Sequence, residues 1–305
     1  MKKSVSVVIR TLNEERYLRE LLAAVQSQSQ DRYDIETVIV DSGSTDQTLP
    51  IAKAYNCRIT TIEKSEFTFG RSLNIGCAFA EGDFLVFISG HCIPVNEQWV
   101  NELVTPLEDR CAYSYGRQMG RDSTKFSERQ LFKKYFPESS RLPQEGFFCN
   151  NANAALRRDV WERYHFDETL TGCEDMFLGK QLVTDGFDLG YVASAPVYHI
   201  HDEQWSQVLN RYEREAVALQ RILPEVTLSA WDALGYFAIG VGKDFRAAAN
   251  EGVFFRECES ILRFRRAQYL GAYRGNRRNR KISAAMKARY FYPRVTSMEI
   301  HHDPD

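Results

Sequence analysis

Hydrophobic and polar positions fall in regular blocks over the first two hundred residues. Residues 4–10 form a short apolar, β-branched run that predicts a strand. Asn13 stands where it would cap the next helix, in which Leu18, Leu21, Leu22 and Val25 recur at i, i+3, i+4 and i+7. A second apolar run, 35–40, leads into Asp41-Ser42-Gly43-Ser44-Thr45-Asp46 and a helical stretch to about Tyr55. Residues 58–62 and 84–88 predict further strands, with a helix around 72–80 between them. This rhythm predicts an α/β fold, a Rossmann-like and mostly parallel sheet flanked by helices. Beyond Cys111 the pattern is mixed: strands over 112–117 and 151–156, a helix over 173–184, and a strand over 189–201 broken at Pro196. After Glu203 it turns helical, in blocks near 205–222, 228–249 and 253–273, so residues 1–205 and 206–305 are expected to form two units.

Composition narrows the class. The 305 residues are 44% hydrophobic and 26% charged, which excludes a disordered or fibrous chain. The run 233–242 lacks any charge, but ten residues fall well short of a membrane span. The N-terminus shows no signal-peptide pattern. The seven scattered cysteines contain no Cys-x-x-Cys and read as reduced thiols of a cytoplasmic protein. The net charge of −2 conceals a division. Residues 256–294 hold twelve Lys/Arg against two Asp/Glu, leaving an acidic body and a basic helical extension.

In a parallel sheet, ligands bind at the carboxyl ends of strands, where loops 11–15, 41–46 and 89–91 converge. There the Asp41 carboxylate could accept hydrogen bonds from a nucleobase or ribose. A plain strand-to-helix turn with Thr45 or Asp46 as cap fits the same residues. Thr171-Gly172-Cys173-Glu174 fits a capping box, which explains Glu174 better than Asp175.

The ordered set 4–15, Asp41–Asp46, Gly70–Gly76, 81–91, Asn151–Arg157, Phe166–Glu168 and Gly172–Asp175 resembles the family 2 glycosyltransferases. The segments 67–72 and 197–201 are most similar to its rhamnosyltransferase-type branch. The resemblance implies a GT-A fold, with a nucleoside diphosphate-sugar as donor and an inverting displacement. It places Thr11, Asn13, Glu14 or Glu15, and Asp41 around base and ribose, with Arg71 beside ribose or phosphate. A helix-initial surface arginine would look the same. It assigns Asp175, with Glu174 beside it, as the base that deprotonates the acceptor hydroxyl. Asn151, Asn153 and Arg157 would line the sugar or acceptor pocket.

The pattern departs from the family at Ser89-Gly90-His91, where Asp-x-Asp ordinarily holds a divalent cation. His91 with His199 or His201 would form a weakly charged site for Mn2+ or Mg2+. His91 as a direct donor to diphosphate, or buried hydrogen-bonded histidines, remain alternatives. The acceptor is expected to be a glycan or lipid-linked glycan in surface-polysaccharide assembly. The stretch 256–294 is either a solvated helical face or a contact with the anionic inner surface of the membrane. No nucleic-acid-binding motif accompanies its charge. A non-catalytic nucleotide-sugar-binding homologue is one competing reading. A sugar nucleotidyltransferase is another, although residues 10–15 lack the glycine-rich loop it needs.

Overall fold

The computed structural model describes residues 2–277 and Tyr290. Of the basic stretch 256–294, residues 278–289 and 291–294 therefore lie outside the described residues. The strands are β1 (Lys3–Thr11), β2 (Tyr33–Asp41), β3 (Arg58–Thr61), β4 (Phe84–Ser89), β5 (Cys92–Pro94), β6 (Cys111–Met119), β7 (Asn153–Arg157) and β8 (Asp188–His199). The helices are α1 (Glu15–Gln26), α2 (Thr48–Ala54), α3 (Phe69–Phe79), α4 (Trp99–Val104), α5 (Phe126–Tyr135), α6 (Arg158–Trp161), α7 (Glu174–Thr184), α8 (Trp205–Ile222), α9 (Ala230–Asn250) and α10 (Phe254–Gly275).

One sheet runs β3-β2-β1-β4-β7-β6-β8-β5. Its β3-β2-β1-β4 half is parallel throughout, as the βα rhythm predicts. Beyond β4 the sheet is mixed: β7 pairs antiparallel with β4 and β6, β8 is parallel to β6, and β5 is antiparallel to β8. The break expected at Pro196 is a slip in register against β6 between Val192 and Val197, within a strand that runs on to His199.

Alternation along β1 divides the core. Val5, Val7 and Ile9 meet Leu18, Leu21 and Leu22 of α1 and Trp99 of α4 on one face. Val8 faces the other layer, with Leu73 of α3, Phe132 of α5 and Leu178 of α7. α10 crosses α8 closely: a Cβ on Gly275 would meet the Glu213 carbonyl oxygen at 2.2 Å. α9 is tied to α10 by Arg265, whose guanidinium meets both Asp244 oxygens at 2.8 Å in a buried pair. α5 bridges to this helical group through Phe126, which packs with Ala248 and Ile261. Among the described residues no helix is long and apolar enough to cross a membrane.

Two expected caps are corrected. Asn13 does not cap α1; it takes φ +56° and its side-chain oxygen accepts from the Thr45 backbone N–H. Nor does Thr171 close a box with Glu174: α7 starts at a left-handed Cys173 without a side-chain cap, and the Thr171 hydroxyl donates to the Arg214 carbonyl.

Candidate active site

The first two rim loops are stitched together. Asn13 N–H donates to Ser44 Oγ, Glu14 N–H to Thr48 Oγ1 and Glu15 N–H to Asp46 Oδ2, while Gln47 N–H donates to Glu15 Oε2. Asp41 is 1% exposed and accepts from Thr11 Oγ1, Ser44 Oγ and the N–H groups of Gly43 and Ser44. These four hydrogen bonds shape the loop and fix the carboxylate at its base. Glu15 likewise serves the start of α2. Arg71 lies in the first turn of α3, 3.1 Å from Glu66.

The third loop faces a cluster of histidines. Ring centroids of His91 lie 5.3 Å from His199 and 5.8 Å from His201, and those of His199 and His201 are 4.0 Å apart. One ring nitrogen from each lies within 4.8 Å of the others. Each Nδ1 faces an oxygen: Glu14 Oε1 at 3.0 Å from His91, Gln118 Oε1 at 2.7 Å from His199, and Glu128 Oε1 at 2.7 Å from His201. An oxygen acceptor holds the proton on Nδ1 and leaves the Nε2 lone pair for a ligand. Burial, with His201 and His91 alongside, holds the His199 pKa well below its ordinary value, so it stays neutral. At His91 burial is outweighed by the Glu14 carboxylate and the pKa rises. Gly90 serves this contact, because a Cβ there would press on the Glu14 side chain at 2.8 Å. A second group, Glu128, His201 and Glu203, is bridged by Arg211 at 2.7 Å from both carboxylates and reads as an ion-pair network.

Asp175 is 8% exposed at the start of α7. Oδ2 accepts the Asn151 N–H at 2.8 Å and Oδ1 accepts the Met176 N–H at 2.7 Å. Burial, then the neighbouring Glu174 charge, raises its pKa to about 7 against those hydrogen bonds. Glu174 Oε1 lies 3.3 Å from Nη1 of Arg10, and Arg10 pairs in register with Ser89. The base candidate and the loop carrying His91 are thus joined through the end of β1.

Asn151 and Asn153 act differently from expectation. The Asn151 backbone orients Asp175 and its Oδ1 accepts from the Tyr113 hydroxyl. Asn153 is fully buried, accepting from Trp99 Nε1 and donating to the Arg117 and Ala195 carbonyls, so it braces the sheet and lines no pocket. Arg157 is corrected outright. It pairs in register with Phe84, at the opposite end of β4 from Ser89, and its guanidinium binds Asp159.

The family model for glycosyl transferase family 2 matches residues 6–164. The chain belongs to that family. Within family 2, it is 32% identical over 197 residues to the O-antigen chain rhamnosyltransferase WbaN of Salmonella anatum, covering 61% of this chain and 62% of that protein. It is 26% identical over 274 residues to the O-antigen chain rhamnosyltransferase RfbN of Salmonella typhimurium, covering 85% and 81%. Both agree with the branch suggested by the 67–72 and 197–201 segments. Among solved structures, the mannosyltransferase PcManGT of Pyrobaculum calidifontis, in complex with GDP-Man and Mn2+, superposes with a TM-score of 0.62 at 15% identity. That match covers 96% of this chain and 88% of the other. The fold is GT-A, with a helical C-terminal region.

Several residues of the site had escaped the linear reading: Arg10, Gln118, Glu128 and Arg211. Arg10 was visible as a charge closing an apolar strand. Glu128 sits on α5, whose buried face includes Ser127 and Glu128 and so lacks an apolar period.

Proposed function

We propose that the chain is an inverting glycosyltransferase that moves a sugar from a nucleoside diphosphate-sugar to a hydroxyl of a glycan or lipid-linked glycan in surface-polysaccharide assembly. Asp175 carries this reading: a buried carboxylate at a family motif position, with its pKa lifted to about 7. Such a group takes a proton near neutral pH, which a sugar hydroxyl must lose as it attacks. Attack on the anomeric carbon from the side opposite the diphosphate inverts its configuration. Glu174 is paired to Arg10 and lies beside Asp175.

The loop residues Thr11, Asn13, Glu14 and Ser89 form the rim against which the nucleotide would lie, with Asp41 and Glu15 holding its shape. The likeness to an O-antigen chain rhamnosyltransferase supports sugar transfer, and the GT-A fold shared with a mannosyltransferase solved with GDP-Man and Mn2+ supports a nucleotide-sugar donor. His91, His199 and His201 would hold a divalent cation. Three oriented imidazoles with a neutral central ring fit Mn2+ better than Mg2+, which prefers oxygen ligands. When bound, the cation neutralises charge on the diphosphate leaving group. We place residues 1–205 as the catalytic unit and 206–305 as an extension that seats it, cytoplasmic and peripheral, near a lipid-carried acceptor.

A panel of nucleotide-sugars tests the reading through thermal stabilisation, hydrolysis and transfer, with and without Mn2+. One donor is expected to stabilise and turn over, and nuclear magnetic resonance of the product is expected to show inverted anomeric configuration. Retention of configuration, or nucleotide binding without turnover on any acceptor, contradicts it.

A further inference from the structure

The uncharged run 233–242 lies within α9, and only one side of it is packed. Ala233, Gly240 and Val241 are buried, whereas Trp231 is 81% exposed, Leu234 56% and Ile239 55%. Trp231, Leu234, Ala238, Ile239 and Gly242 recur at helical spacing and form one stripe in water. A soluble helix ordinarily presents charge on this side, so the stripe is a surface built for an apolar environment. Ten residues rise about 15 Å, half the hydrocarbon core of a bilayer, so this uncharged run cannot span but can lie flat in the interface.

The charges around it select the occupant. Lys243 and Arg246 are exposed just past the stripe. At its other end, Asn276 of the α10 terminus accepts from the Leu228 N–H and donates to the Val226 carbonyl, which ties the segment carrying the exposed Arg274 and Arg277 to the loop that leads into α9. Three of the nearby acids are engaged: Asp232 accepts from the N-cap Ser229 hydroxyl, Glu251 pairs with Lys133 and Glu259 with Arg263, while Glu225 is exposed. Among the described residues no carboxylate pairs with Lys243, Arg246, Arg274 or Arg277. α10 adds Phe255, 92% exposed, next to Arg256, which is itself paired with Glu257. Apolar side chains bordered by unpaired bases match the acyl boundary and headgroups of an anionic leaflet.

We propose that the exposed face of α9, bordered by these basic residues, docks the protein on an anionic lipid bilayer. This deepens the peripheral-membrane reading above and rests on it, moving the anchor from charge alone to an inserted apolar stripe.

Vesicles of phosphatidylcholine with and without phosphatidylglycerol test it by co-sedimentation of the full chain at 50 and 150 mM salt. The parent is expected to bind the anionic vesicles. Trp231→Ser/Leu234→Ser/Ile239→Ser is expected to lower partitioning about tenfold or more at the higher salt. Lys243→Gln/Arg246→Gln/Arg274→Gln is expected to lose the preference for phosphatidylglycerol. Thermal midpoints and turnover of donor in vesicle-free solution are expected to stay at parental values in both, so failure of docking is distinguishable from failure of the glycosyltransferase reading. Absence of parental binding, or equal binding by the serine variant, overturns the proposal. So does a parental dimer in light scattering that the serine variant dissolves, since the face would then join two copies.

Discussion

A carboxylate that is to take a proton from a sugar hydroxyl must prefer its neutral form more than aspartate does in water. Asp175 meets this through burial, then the electrostatic effect of neighbouring Glu174, which together bring its pKa to about 7. The sign follows directly: the base is protonated and idle below this value, ionised and competent above it. Transfer is expected to rise with pH through about 7 under donor-saturating conditions, and Glu174→Gln is expected to shift that midpoint downward by removing the adjacent charge. Around the histidines, Glu14 orients the His91 ring through its Nδ1 and is not one of the three imidazoles. Glu14→Gln is expected to weaken Mn2+ binding, read by calorimetry on the protein alone, by about 10- to 100-fold. The motif residues were legible in the sequence as positions, but their hydrogen-bond partners were not. Asn153 looks available in a linear motif, and only the folded chain reveals that its carbonyl and N–H groups are already spent.

Elements with a clean period were read well, because one buried face imposes that period. The strands β1, β2 and β4 and the helix α8 match the predicted blocks closely. α5 escaped because two of its buried residues are polar, and with it went Glu128, the partner of His201. The position of Arg157 depended on strand direction: β7 runs antiparallel to β4, so the end of β7 lies at the foot of the sheet. A run of apolar residues does not encode that direction. Between α9 and α10, the buried Arg265–Asp244 pair fixes how the two helices meet. Arg265→Ala would leave Asp244 charged and unpaired in the interior. It is expected to destabilise the chain by about 3–5 kcal/mol in denaturant titration.

At the scale of the whole molecule, the chain's near-neutrality is the sum of an acidic body and a basic extension. The body brings loop ends, three histidines and Asp175 to one rim of a mixed sheet; the extension packs α10 onto α8 and leaves the outer side of α9 in water. The charge division was readable from composition. The apolar stripe was not, because a run of ten uncharged residues does not reveal which half is covered. The central claim is that this fold transfers a sugar using Asp175 as base. Its most direct test is turnover of the accepted nucleotide-sugar by Asp175→Asn, with nucleotide affinity measured on the same preparation. The account predicts nucleotide binding close to parental and transfer reduced about 10²- to 10⁴-fold. Parental turnover by the variant would contradict it.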